Sequence, residues 1–211
     1  MQIRRVFESY FHYLIHPFHT HEAFTTPSYE GFKPMKLTAY QSLATSWVFV
    51  MISGLTKILL TQVAIITVFE LISNDSYGLT NYINFNEIPS FYFVVLSATL
   101  DVIFYPLFGI FLIQFWEVII RLYGRGLETP GDLTQKAHDI MSVSFSSSIF
   151  LIVPMIGGAI QGLVTMFLMY AGLRVQLKSS PVLSICILFT PFVIIMGFIA
   201  MIMMLATLFI I

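Results

Sequence analysis

Long apolar blocks, separated by short stretches that hold nearly all of the charge, set the pattern of this chain. Val48 to Phe69 is apolar apart from Lys57 and a few neutral polar residues. A helix of about 20 such residues crosses the ~30 Å hydrocarbon core of a bilayer, so this block predicts a first span. Phe91 to Ile120 forms a longer second block with Asp101, Pro106 and Glu117 inside it, which predicts tilt, a kink or extension beyond the lipid. No charge falls between Asp139 and Arg174, and as one helix that stretch would run about 50 Å, too far for one crossing. Pro154, followed by Gly157 and Gly158, supplies a break and predicts a tight hairpin of two spans, the first beginning near Thr134. The uncharged block Ser179 to Ile211 completes the pattern, with Pro181 in its first turn and Pro191 as an interior kink. The expected fold class is all-α: a polytopic membrane helical bundle of about five transmembrane helices over 37–211, after a cytoplasmic or interfacial segment, 1–36, with a short amphipathic N-terminal helix.

In that first segment Phe7, Phe11, Leu14 and Phe18 recur at helical spacing beside Arg4, Arg5 and Glu8. They predict an amphipathic helix over 3–16, ended or bent by Pro17, lying in the headgroup plane or docked on the cytoplasmic mouth of the bundle. Of the five histidines, His12, His16, His19 and His21 fall within ten residues, with Glu22 close by. Their spacing matches no established zinc motif. A metal site and a pH-dependent membrane contact are the alternatives, the second favoured because histidine titrates near neutrality.

Composition agrees with the pattern: 57% of the residues are hydrophobic and 10% charged, against roughly 25% charged in soluble domains. A net charge of −1 excludes a strongly basic nucleic-acid surface. No signal-peptide order of basic, apolar and small residues opens the chain, so its N-terminus is expected to be retained. Cys186, the single cysteine, cannot form an intrachain disulfide. Apart from Lys57, the basic residues sort to one side of a five-span topology: Arg4, Arg5, Lys33 and Lys36, then Arg121, Arg125 and Lys136, then Arg174 and Lys178. The loop from Asn74 to Glu87 is acidic and holds the sequon Asn74-Asp75-Ser76. The positive-inside rule then places the N-terminus in the cytoplasm and the C-terminus outside.

Two charges lie near the predicted midplane, Lys57 in span one and Asp101 in span two. Each costs about 2.5–3.5 kcal/mol there, so mutual pairing in the bundle interior is the expected arrangement. A proton or ion relay and exposure to a polar cavity are the alternatives. Gly158 and Gly162 form a Gly-x-x-x-Gly pair suited to close packing within the bundle or to a dimer contact. Ser142, Ser144, Ser146, Ser147 and Ser148 supply hydroxyls that bond across helices or back to their own carbonyls. No Gly-x-Ser-x-Gly or phosphate-binding glycine loop occurs, so neither an enzyme nor a cofactor is expected.

The order of these features resembles the Yip family, multi-spanning proteins named for interaction with Ypt and Rab GTPases. The residues that carry the likeness are Val153-Pro154-Met155-Ile156-Gly157-Gly158, Tyr170-Ala171-Gly172-Leu173-Arg174, the short loop through Lys178 and Ser179, Pro191, and His16-Pro17-Phe18. The acidic, aromatic and Gly-Pro motif of eukaryotic members is absent, so the resemblance is to the prokaryotic type and Rab binding is not carried over. It implies a five-span fold in a prokaryotic inner or plasma membrane and a habit of partnering. The expected function is a non-catalytic accessory or scaffold subunit that contacts membrane lipids and another integral membrane protein, compatible with a homo-oligomer. The alternative is a small transporter or channel using Lys57 and Asp101.

Overall fold

The computed structural model describes residues 2–26, 33–73 and 91–210, and all of their regular structure is helical. Helix α1 runs Gln2–Ile15 and α2 runs Pro17–Thr25. Pro17 stands at the first position of α2, where its missing N–H is harmless, and drives His16 out of helical geometry (φ −127°, ψ 58°). The chain then forms α3 (Ala39–Ser73), α4 (Phe91–Gly126), α5 (Leu133–Ser144), a 3-10 segment (Phe145–Ile152), α6 (Gly157–Gln176) and α7 (Pro181–Ile210). Four of these, α3, α4, α6 and α7, are long and apolar enough to cross a membrane. The acidic loop and its sequon lie outside the described residues.

The stretch expected as one helical third span is built in two pieces. Asp132 caps α5, its carboxylate accepting from the Thr134 N–H at 2.9 Å. After 12 α-helical residues the chain tightens into 8 residues of 3-10 helix, together about 34 Å long. The serines account for both the tightening and the location. Ser144, Ser146 and Ser147 donate back to the carbonyls of Ile140, Val143 and Ser144 at 2.7–2.9 Å, and such bonds bend helices. Ser142 bonds Ser42 and the Leu37 carbonyl, each at 2.8 Å, and Ser147 bonds Thr165 at 2.6 Å. Every residue from 139 to 148 is buried, so the most hydroxyl-rich segment is also the most shielded.

Beyond it the chain reverses through Val153 to Ile156 into α6, which runs back antiparallel to α5, Ser147 facing Thr165 and Lys136 facing Gln176. A Cβ on Gly157 would sit 2.3 Å from the Phe150 carbonyl oxygen, so the turn closes only around glycine. The core gathers at the end of the bundle where α3, α5 and α7 begin and α4 and α6 end: Trp116, Ile120, Ile140, Leu173 and Ile187 are buried together. At the other end the helices carry their apolar side chains outward, and α7 is exposed from Phe192 through Thr207. That surface suits hydrocarbon rather than water.

The N-terminal segment packs against the bundle through α1. Tyr10 and Tyr13, on one face of α1, are 1% and 0% exposed. Tyr10 donates to the Phe145 carbonyl, bonds Ser148 at 2.9 Å and stacks on Phe49. Tyr13 accepts the Leu37 N–H at 3.1 Å and donates to the Met35 carbonyl. Helix α1 is therefore docked on the bundle by tyrosines that the apolar periodicity did not single out. Of the predicted apolar set, Leu14 is half-buried, Phe7 meets Phe49 edge-on and Phe18 meets Phe167 and Tyr170 while both stay partly exposed, and Phe11 is exposed.

Candidate functional site

The α3–α4 pair positions the two intramembrane charges. These helices cross closely where Gly109 of α4 meets Leu43 of α3, a Cβ there falling 2.2 Å from Leu43. Pro106 has no N–H to give the carbonyl of Val102, four residues back, which would otherwise be left unpaired in an apolar medium. The indole N–H of Trp47 on α3 donates to that carbonyl at 2.7 Å. Trp47 thus completes the hydrogen bonding that Pro106 interrupts, one residue from Asp101. Nothing in the spacing of the two residues discloses this bond, because they sit on different helices.

Lys57 Nζ lies 3.2 Å from Asp101 Oδ2. The pair expected in the bundle interior is formed but not enclosed: the two side chains are 57% and 60% exposed, in line with the alternative of exposure to a polar cavity. They border a lateral groove of about 420 Å3 that also takes in Ser53, Phe104, Tyr105 and Gln161. Beside the pair the two helices meet closely, a Cβ on Gly54 falling 3.3 Å from Val102. Tyr105 donates its hydroxyl to Ser46 at 3.0 Å and so turns away from the charges.

The glycine expectations are redistributed as well. Open space surrounds the Cβ positions of Gly158 and Gly162, so this pair mediates no packing within the bundle. Close approach within the bundle falls instead to Gly109 and to Gly172 of α6, whose missing side chain leaves room for Ile140 and His21. Pro154 and Gly157 lie at the α5–α6 reversal, and Pro191 lies inside α7.

The four clustered histidines separate. The rings of His12, His16 and His19 follow one another along the outer side of α1 and α2 at 5.2 and 6.2 Å, and His19 bonds Glu22 at 3.1 Å. His21 turns inward and is fully buried against Gly172 and Phe24, with only a long 3.4 Å contact from Nδ1 to Gln176. Its Nε2 has no hydrogen-bond partner, and burial pushes its pKa down to about 3, so it is neutral. Burial also pushes the Tyr13 hydroxyl up to about 12. Among the described residues no group of three or more His, Cys, Asp or Glu is placed to hold a metal.

At the loop-bearing end Glu117 ties α4 to α5, meeting Arg121 at 3.1 Å, Thr134 at 3.3 Å and His138 at 3.6 Å. Lys36 reaches Asp139 at 2.7 Å and joins the start of α3 to α5. These contacts fasten helices to one another. The Lys57–Asp101 groove is a polar feature within the apolar region, bordered by α3, α4, the 3-10 segment and α6. Comparison of the chain with protein families, with curated proteins and with solved structures gives no match in any of the three.

Proposed function

We propose that this chain is a non-catalytic membrane-integral accessory or scaffold subunit whose α3–α4 face receives a helix of another membrane protein. The observation that carries this reading is the position of the Lys57–Asp101 pair, more than half exposed midway along two apolar helices. Facing lipid alone, each charge would cost about 2.5–3.5 kcal/mol at the bilayer centre. A partner helix with a hydroxyl or carboxamide over the groove offsets that cost by hydrogen bonding both groups. In this reading α5 and the 3-10 segment together make the third of five crossings. The N-terminus then lies in the cytoplasm and the C-terminus outside, in the Yip-like arrangement that the sequence motifs imply, in a prokaryotic plasma membrane. The same groove supports the second reading, a small transporter, since it offers polar groups at mid-span.

Photo-crosslinking in the native membrane separates the two. A crosslinking amino acid at Leu100, beside the groove, should give a discrete adduct with one membrane protein. The same probe at Val193 on α7, exposed and away from the groove, should give lipid adducts alone. Equal, lipid-only labelling at both positions would refute the accessory reading, and liposomes holding the purified protein would then be assayed for transport.

A further inference from the structure

The loop-bearing end of the molecule holds a second cavity, of about 350 Å3, between the end of α2, the α4–α5 connection, α5 and the end of α6. Lys36, Lys136 and Lys178 reach it from three separate segments, together with Asp132 and Asp139. By charge alone the set nearly balances. The contacts are not evenly shared, because Asp132 and Asp139 each hold a bond within the bundle and Lys178 holds none among the described residues.

Asp139 accepts from Lys36 on Oδ2 at 2.7 Å and from Gln135 on Oδ1 at 2.8 Å. Asp132 is the cap of α5, engaged by the Thr134 N–H. Each ammonium carries three N–H donors. Lys36 spends one of them on Asp139. Lys136 spends two, on the carbonyls of Pro130 at 2.6 Å and Gln176 at 3.0 Å, which leaves one. Lys178 is exposed and makes no hydrogen bond or ion pair among the described residues. Three lysines against two aspartates leave the cavity with a positive excess, and Lys178 and the remaining N–H of Lys136 are placed to meet an anion with several acceptor oxygens.

We infer that this cavity binds the phosphate group of an anionic ligand, with Lys178 as its principal charged contact and Lys36 and Lys136 at its sides. Basic pockets between helices at a membrane surface suit such headgroups. The backbone at Lys178 adds a second line of support. It follows the C-cap of α6 with φ +52°, the left-handed conformation that glycine adopts most cheaply at this position. The backbone alone thus favours glycine, and the lysine supplies charge at some conformational cost.

That geometry also provides a test variant, since Lys178→Gly removes the charge while relaxing the backbone. A lipid headgroup and a soluble phosphate compound share the chemistry, so both are tried on the full chain. Native mass spectrometry in mild detergent would compare retention of phosphatidic acid with that of phosphatidylcholine. Thermal melting would be followed with inorganic phosphate and glycerol phosphate. Wild-type protein should retain phosphatidic acid preferentially, and Lys178→Gly should lower that preference about fivefold, the effect of one lysine beside an anionic headgroup, while melting no lower than wild type without ligand. If the soluble phosphates raise the wild-type melting temperature and leave Lys178→Gly unmoved, the ligand is a soluble phosphate compound. Wild-type protein that responds to none of the three anions, or a Lys178→Gly variant that binds them as wild type does, overturns the inference.

Discussion

At the scale of single residues, the apolar environment makes each unpaired backbone group expensive, and the Trp47–Val102 bond follows from that. Without Pro106 the Val102 carbonyl would be met within α4; with it, the acceptor depends on an indole from α3 at 2.7 Å. Trp47→Phe keeps an aromatic ring and leaves the carbonyl unmet, so it should destabilise the protein by about 1–3 kcal/mol. Adding Pro106→Ala restores the N–H at that position and should recover most of that loss. If denaturation in detergent shows Trp47→Phe to have the same effect with and without the Pro106→Ala change, the bond contributes nothing. Proline inside an apolar block was legible in the sequence, but the residue that answers it was not.

Among the elements, the N-terminal pair α1–α2 is held by aromatic hydroxyls and by one buried imidazole. His21 is neutral when docked, its pKa held near 3, whereas the undocked ring titrates near the ordinary 6.5. The undocked arm therefore takes up the proton first. Docking is at full strength above pH 6.5 and weakens as pH falls toward 3. At pH 5 the loss is about 2 kcal/mol. Hydrogen exchange of α2, corrected for the intrinsic rate, should accelerate between pH 7 and pH 5 in wild-type protein and stay level in His21→Leu; the same acceleration in both would assign the effect to other groups. The helical periodicity of α1 was readable, yet its apolar stripe pointed to Phe7, Phe11 and Phe18, which remain exposed. Tyr10 and Tyr13 bind because their hydroxyls find partners at Phe145 and Ser148 and in the stretch before α3, and a periodicity argument does not count hydroxyls as adhesive.

For the whole molecule, five crossings require the α5–α6 hairpin to reach the far face of the bilayer. Its tip is Met155, fully exposed at the reversal, and the two pieces leading to it measure about 34 Å, enough for a hydrocarbon core of ~30 Å. With Cys186 replaced by serine, Met155→Cys should react in intact cells with a membrane-impermeant maleimide. Protection until the membrane is opened would make the hairpin re-entrant and bring the number of crossings to three. Packing is denser at the loop-bearing end, where Trp116, Ile140 and Leu173 meet. The far halves of α3, α4 and α7 are left to lipid or to a partner.

The sequence by itself determined the broad class, the places of the long helices and the position of the hairpin. These depend on block length, charge exclusion and proline chemistry, all of which act locally along the chain. Lys57 and Asp101 were also evident as charges at matching depth, because depth follows from counting residues along a helix. Only the tertiary structure decided which way that pair faces, since the rotation of two helices about their contact is set by Gly54, Gly109 and Leu43 together. It likewise decided that Gly158 and Gly162 face open space, that the serine segment tightens into 3-10 geometry at the centre of the bundle, and that His21 parts from its neighbours. Each of these outcomes depends on what lies across an interface, and residues that meet there are as far apart in the chain as His21 and Gln176.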